Sequence, residues 1–501
     1  MRRIVLLGAT LGLAGCPSDD AGADCETDDC GASSSAGTGD TPTSMGATLD
    51  GNDADADADN DADADNDADT DNGTDGPDSS GDQTSAGGCG SDDDCGGDAP
   101  FCLDDGTCGG CSATPDPAAA CSGADPTSPL CVEDACVSCT SAPDECGGVT
   151  PVCDDGSGAC IACTEHDQCA DSGCHAFVGS CLDPDSLYYV DGNADAGGDG
   201  SAKAPFRTIA EAVDLVAAGG EGTIFVESAG AYNEAVLVDE GKAVGIFGYP
   251  GDQALLRGGS FPGLTVDGAT AYIDRFAIDG GNNTNTTEVT DGGLDIRRCD
   301  IDDGDGRGID ALNADVYLQD SEVTLHDAGG IYAVSSDVVL RNAEVALNGQ
   351  NNDPTSGVYL EDTLFDIVYS TILINRGGGG MMGSVEPTIE CRGESDGTVR
   401  NSILFGFQPG SIDNAGCADA TFDNSALDTD DLSGQGSELL VYNANWFVST
   451  FGPDLHLDPE FVDSPLEDLA VWQDGDPATD FEGDARPDTD ETPDWVGWDV
   501  P

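Results

Sequence analysis

Val316-Tyr-Leu-Gln-Asp-Ser-Glu-Val323 is followed 22 residues later by Val338-Val-Leu-Arg-Asn-Ala-Glu-Val345. Both read apolar, any, apolar, any, any, small, any, apolar. The phrase runs seven times between residues 271 and 427, with Ile273, Ile296, Leu318, Leu340, Ile367, Val399 and Phe422 as its third letter. Its last letter is Ile278, Ile301, Val323, Val345, Ile372, Leu404 and Leu427, and successive copies lie 23, 22, 22, 27, 32 and 23 residues apart. Apolar residues alternate with period two on each side of a bend, so the units are strands. Self-similarity at this period marks a solenoid, whose single coil cannot bury its apolar face but whose stacked coils can. The small position holds Cys299, Ser321, Ala343, Ser370, Ser402 and Ser425. It points inward, which makes Cys299 a buried free thiol. Stacked at about 4.8 Å, roughly nine or ten coils give a rod near 45 Å long.

Upstream of the phrase stand Leu187-Tyr-Tyr-Val-Asp191, a glycine-rich loop, and Ala204-Pro-Phe-Arg-Thr-Ile209. Thr208 with Glu211 forms a capping box. Ile209, Ala212, Val213 and Val216 mark one helical face, Gly219-Gly220 ends it, and Thr223-Ile-Phe-Val226 begins the strands. This strand, helix, strand order resembles the opening of right-handed parallel β-helix proteins of the pectin-lyase-like fold. The resemblance implies an all-β, right-handed parallel β-helix over about 250 residues, with an N-terminal helix capping the bore. Right-handed winding is also the expected sense of parallel crossovers.

Between residues 89 and 181 lie 16 of the 22 cysteines. They form four groups: Cys89/Cys95/Cys102/Cys108, Cys111/Cys121/Cys131/Cys136, Cys139/Cys146/Cys153/Cys160 and Cys163/Cys169/Cys174/Cys181. An even count in an exported chain reads as a disulfide framework of small modules, with connectivity left open by the spacing. The Cys-x-x-Cys pairs join modules and do not read as zinc sites. The modules resemble cysteine-rich repeats of bacterial surface lipoproteins. Cys25 and Cys30 can pair locally, and Cys391 with Cys417 is expected to bridge neighbouring coils.

The chain opens Met1-Arg-Arg3, then a short apolar run, then Leu13-Ala-Gly-Cys16. The run is too short to span a bilayer, so it reads as a processing signal. Leu13 to Cys16 resembles a bacterial lipobox, which implies acylation at Cys16 and attachment to a bilayer without a span. Residues 17 to 88 hold 21 acidic residues and no Lys or Arg. Their Asp-Ala repeats cannot form a core. The expected divisions are a signal peptide at 1–15, a disordered acidic tether at 16–88, disulfide modules at 89–181, the β-helix at 182–430 and a C-terminal capping segment at 431–501.

The formal charge is −84, and after Arg3 no Lys or Arg occurs before Lys203. Nucleic acid is excluded as a partner, because phosphate binding needs cations. The tail carries Asp454-Leu-His-Leu-Asp458, Asp480-Phe-Glu-Gly-Asp-Ala-Arg-Pro487 and Asp494-Trp-Val-Gly497. It resembles in part the closing segment of surface proteins of the choice-of-anchor Q type. Trp472, Trp495 and Trp498 are expected to cover the last coil.

The phrase places Asp295, Arg297, Asp300, Asp302, Gln319, Glu322, Arg341 and Glu344 outward, as one mixed patch on one sheet. Many β-helix relatives cleave polyuronates on such a face, and elimination needs a base with calcium or cations to neutralise the uronate. On that resemblance Arg297, Arg341 and Asp302 are the catalytic candidates, and Asp295, Asp300 and Asp302 the calcium candidates; no other cofactor is implied. The only lysines, Lys203 and Lys242, precede the main coils. The Arg-x-Pro-x-x-Arg pattern of pectate lyases and the Gly-His-Gly pattern of polygalacturonases are absent. His326 has no evident partner. Tyr332 and Tyr359 form an outward series suited to stacking on sugar rings or on each other, and Asn342, Asn401 and Asn424 recur at the bend as side chains bonding the turn backbone. The expectation is a monomeric, lipid-anchored protein of the cell envelope that binds a glycan or a surface protein without catalysis. A calcium-assisted polysaccharide lyase or hydrolase is the alternative.

Overall fold

The computed structural model describes Ser91, Cys95 and residues 101–501, apart from 106, 126, 133, 171, 228–229, 249–252, 283, 350–356, 376–387, 407–416, 418, 429–435, 450–453 and 462–463. The described residues all fall in one compact unit, Thr84–Pro501. The expected signal peptide, the acylation expected at Cys16, the expected acidic tether, and Cys25, Cys30 and Cys89 lie outside the described residues.

Three parallel sheets wind into a β-helix. The first runs from Leu187–Val190 through Glu221–Val226, Ala243–Gly248, Thr270–Asp274 and Gly293–Arg297 up to Thr421–Asp423. Asp315–Thr324 and Asp337–Ala346 pass straight through the bend and serve both the first and the second sheet. The third sheet has seven strands, Val236–Val238 to Ile389–Arg392. Parallel crossovers of this kind take the right-handed sense.

The apolar letters stack in register. Ile224, Ile246, Ile273, Ile296, Leu318, Leu340, Ile367, Val399 and Phe422 form one inner column. Leu256, Ile278, Ile301, Val323, Val345, Ile372, Leu404 and Leu427 form a second. All are buried. The helix Ile209–Val213 carries the Thr208/Glu211 capping box, and Glu234 accepts the N–H groups of Ile209 and Ala210. Its Ile209, Ala212 and Val213 join the core beside the first strands.

The bend explains the small letter. The residue before it sits at positive φ in every copy: Arg275, Arg298, Asp320, Asn342, Tyr369, Asn401 and Asn424, between 47° and 59°. There the sheet ladder breaks, and a side chain of the next coil takes over as acceptor. The Cys299 N–H donates to Ser321 Oγ, Ala343 to Ser370, Ser370 to Ser402, and Ser402 to Ser425, at 3.1 to 3.3 Å. Cys299 Sγ accepts from the Phe276 N–H at 3.3 Å. A second corner uses Asn348 and Asn375 in the same way, each amide oxygen accepting the N–H of the coil before it. The bend asparagines Asn342 and Asn401 do not bond their own turn: Asn342 Nδ2 donates to Asp320 and to the Thr479 carbonyl, and Asn401 pairs with the backbone of Val471.

The cysteine modules share one plan. In each, the third and fourth cysteines face each other across a two-stranded hairpin, as Cys131 and Cys136, Cys153 and Cys160, and Cys174 and Cys181 do. The bridges join first to third and second to fourth: Cys111–Cys131 with Cys121–Cys136, Cys139–Cys153 with Cys146–Cys160, and Cys163–Cys174 with Cys169–Cys181. Cys95–Cys108 follows the same rule. Cys391–Cys417 is formed and Cys299 is free and buried, as the sequence predicts.

Candidate binding cleft on the first sheet

The outer face of the first sheet is covered from both ends. On the N-terminal side the fourth cysteine module folds back onto it. The His166 ring lies 4.2 Å from that of Phe247, and Tyr272 Oη bonds His175 Nδ1. The Gly173 N–H donates to Thr223 Oγ1, and Gly173 is needed because a Cβ there would stand 2.3 Å from the Phe247 ring. Burial pulls the His166 imidazole down to about 3, so it stays neutral in the contact.

On the other side lies the tail. Arg486 is buried against Asp494 at 3.1 Å, with its guanidinium 3.9 Å over the Tyr369 ring. That cation over the ring helps offset a tyrosine at φ 50°, a strained conformation for a bulky residue. Trp446, Trp472, Leu455 and Val496 pack with Leu373, Ile403 and Phe405 of the second sheet. The tail and its tryptophans therefore lie along the flank of the rod, a correction to the expectation that they cover the last coil. The outward residues of the second sheet are apolar here and need that cover.

Between module and tail a cleft of about 460 Å³ stays open. Its floor is Asp295, Arg297, Tyr317, Gln319 and Arg341, aligned by the strand register. One wall is Thr164, Glu165, Ala176 and Phe177; the other is Gly475, Asp476, Pro477 and Ala478. Asp476 is fixed by Arg400, whose Nη1 donates at 2.7 Å, and by the Gln473 N–H at 2.9 Å.

The two floor arginines differ. Arg297 forks onto both Asp295 oxygens at 2.9 Å and reaches the Thr164 carbonyl and Glu165 with Nη1. Burial works against both charges, and the forked contact with Asp295 keeps the guanidinium protonated, above its ordinary range. Burial also raises the Glu165 carboxyl, against the pull of Arg297 and Arg298. Arg298 donates to Asp274 at 2.8 and 2.6 Å. These charges clamp the module to the rod, so Arg297 is placed as a clamp with its donors engaged. Arg341 donates from Nη1 to the Gly475 carbonyl at 3.2 Å, while its Nε is buried without a partner. Tyr317 Oη donates to Gln319, leaving a hydroxyl, an amide and a guanidinium side by side.

Other predicted residues lie elsewhere. The bend at Arg298 divides the expected single patch, with Asp295 on the first sheet and Asp300 and Asp302 on the second. A calcium site built from Asp295, Asp300 and Asp302 is thereby overturned. Asp302 pairs across the rungs with Asp279, and burial together with that neighbour pushes its carboxyl up to about 7. Tyr332 and Tyr359 stack on each other at 4.6 Å and 9°, and Arg307 covers Tyr332 at 3.5 Å. Of the two roles the sequence allows them, stacking on each other is the one the rings take up here. His326 finds Thr286 at 2.9 Å and Asn348 at 3.2 Å inside the bore. The sequence reading missed Glu165, Asp476 and both walls, which lie about 130 residues away from the floor along the chain in opposite directions and share no period with it.

Residues 74–187 match a family described as "Family of unknown function (DUF8331)". No curated protein matches the chain. Among solved structures, pectate lyase Pel9A aligns at 13% identity and TM-score 0.36, over 62% of this chain and 95% of its own. A rhamnogalacturonan lyase aligns at 12% and 0.28, over 61% and 95%. The GH136 lacto-N-biosidase from Eubacterium ramulus aligns at 12% and 0.29, over 48% and 63%. The fold assignment rests on the strand register described above. No helix among the described residues is long and apolar enough to cross a membrane.

Proposed function

We propose that this chain is a lipid-anchored envelope protein that displays a β-helical rod and binds a neutral glycan, without cleaving it, in the cleft between the fourth module and the tail. The observation that carries the reading is the pairing of Arg297 with Asp295 and the module, which leaves the cleft a floor of polar hydrogen-bonding groups. A volume of about 460 Å³ suits a short oligosaccharide, and Tyr317, Gln319 and Arg341 suit hydroxyl-rich ligands. A charge of −84 disfavours polyanions. Anchoring at Cys16 and a tether over 17–88 would hold the rod away from the lipid.

The test is affinity electrophoresis against neutral and uronate polysaccharides. Arg341→Ala should weaken neutral binding about tenfold, or about 1.4 kcal/mol, while Tyr332→Ala leaves it unchanged. Equal loss in both variants would overturn the assignment of the cleft. A second reading is elimination from a uronate chain, in which the Arg341 guanidinium on the cleft floor would neutralise the uronate carboxylate. Release of ultraviolet-absorbing unsaturated uronates by wild type, abolished in Arg341→Ala, would establish it in place of simple binding.

A further inference from the structure

The tail brings together three side chains that the cleft does not use. His456 lies on the strand Asp454–Leu457, Glu482 in the loop after Asp480, and Asp499 near the last residue. One nitrogen of His456 and one oxygen each of Glu482 and Asp499 lie within 4.8 Å of one another. His456 Nε2 stands 3.5 Å from Glu482 Oε1, about the separation of two donors on one tetrahedral ion.

The backbone fixes this arrangement. Asp480 Oδ1 accepts the N–H groups of Glu482, Gly483 and Asp484 at 2.8 to 3.0 Å, and its Oδ2 accepts that of Val500 at 2.9 Å. One buried carboxylate thus sets both the loop bearing Glu482 and the terminus bearing Asp499. Asp499 Oδ2 accepts the Leu457 N–H at 2.6 Å, next to His456. Asp499 is 2% exposed. The negative groups outnumber the one imidazole, and a divalent cation would balance them.

We propose that His456, Glu482 and Asp499 bind one divalent transition-metal ion. An imidazole with two carboxylates suits zinc better than calcium, which prefers oxygen alone. Three protein donors leave a fourth position for water. The ion would tie the strand, the loop and the terminus of the tail into one unit on the flank of the rod.

The experiment uses the full chain dialysed against zinc in excess calcium, which occupies sites made only of oxygen. Bound zinc is counted by elemental analysis, and melting is followed with and without zinc. One equivalent of zinc and a higher melting temperature are expected in wild type, with both lost in His456→Ala. Glu482→Gln alters a side chain that is 52% exposed and so leaves the fold intact. It should weaken zinc binding about tenfold or more. Equal zinc uptake by wild type and Glu482→Gln would overturn the proposal, as would no uptake by wild type.

Discussion

Arg297 shows how position changes the meaning of a residue. On a bare sheet its guanidinium would be an exposed cation, but under the fourth module it completes a nearly buried fork with Asp295. Arg297→Met should cost about 3–5 kcal/mol in chemical denaturation, because it leaves Asp295 buried without its partner. Adding Asp295→Asn should restore part of that loss. Asp302 gives a pH prediction. Its folded carboxyl titrates near 7, above the ordinary carboxylate range, so the folded state holds a proton that the unfolded state gives up. The stability it contributes is complete below about pH 4 and is lost as pH rises through 7. Asp302→Asn should therefore raise the melting temperature relative to wild type at pH 8 and not at pH 4.

The element that repeats is a coil with a hydrogen-bonding corner. Hydroxyls fill the small position because a bend at positive φ interrupts the ladder and leaves an N–H facing inward. Ser402 both accepts from Ser370 N–H and donates to the Arg400 carbonyl. Ser402→Ala removes that acceptor and should cost roughly 1–3 kcal/mol, read as a lower denaturant midpoint. Ser402→Cys should recover part of the loss, since Cys299 already serves in this slot. The apolar columns matter more per residue: Leu340→Ala empties a fully buried layer, at a cost of about 2–5 kcal/mol.

At the scale of the molecule the rod is a wall on which two foreign segments are laid. The modules depend on their bridges, because units of about 22 residues cannot sustain a core. Reduction should melt them and leave the β-helix standing. The expected result is a retained far-ultraviolet β signal together with loss of the neutral-glycan binding proposed for the cleft, since one wall of the cleft is module. Loss of the β signal at the same reductant concentration would show that rod and modules unfold together.

The rod was legible in Leu318, Leu340 and Ile367, because parallel stacking repeats one local pattern and each copy restates the register. The capping box at Thr208, the buried thiol of Cys299 and the bridge from Cys391 to Cys417 could be read for the same reason: each follows from its place in the repeat or its near neighbours. The walls of the cleft could not. Glu165 meets Arg297, and Asp476 meets Arg400, through folding back of segments that carry no period and no fixed spacing to their targets. Nor could a linear pattern tell that Asp295 and Asp302 face different sheets, since the αL turn at Arg298 rotates the chain between them. Local alternation sets which side chains turn inward; only long-range packing sets which outward ones remain open to a ligand.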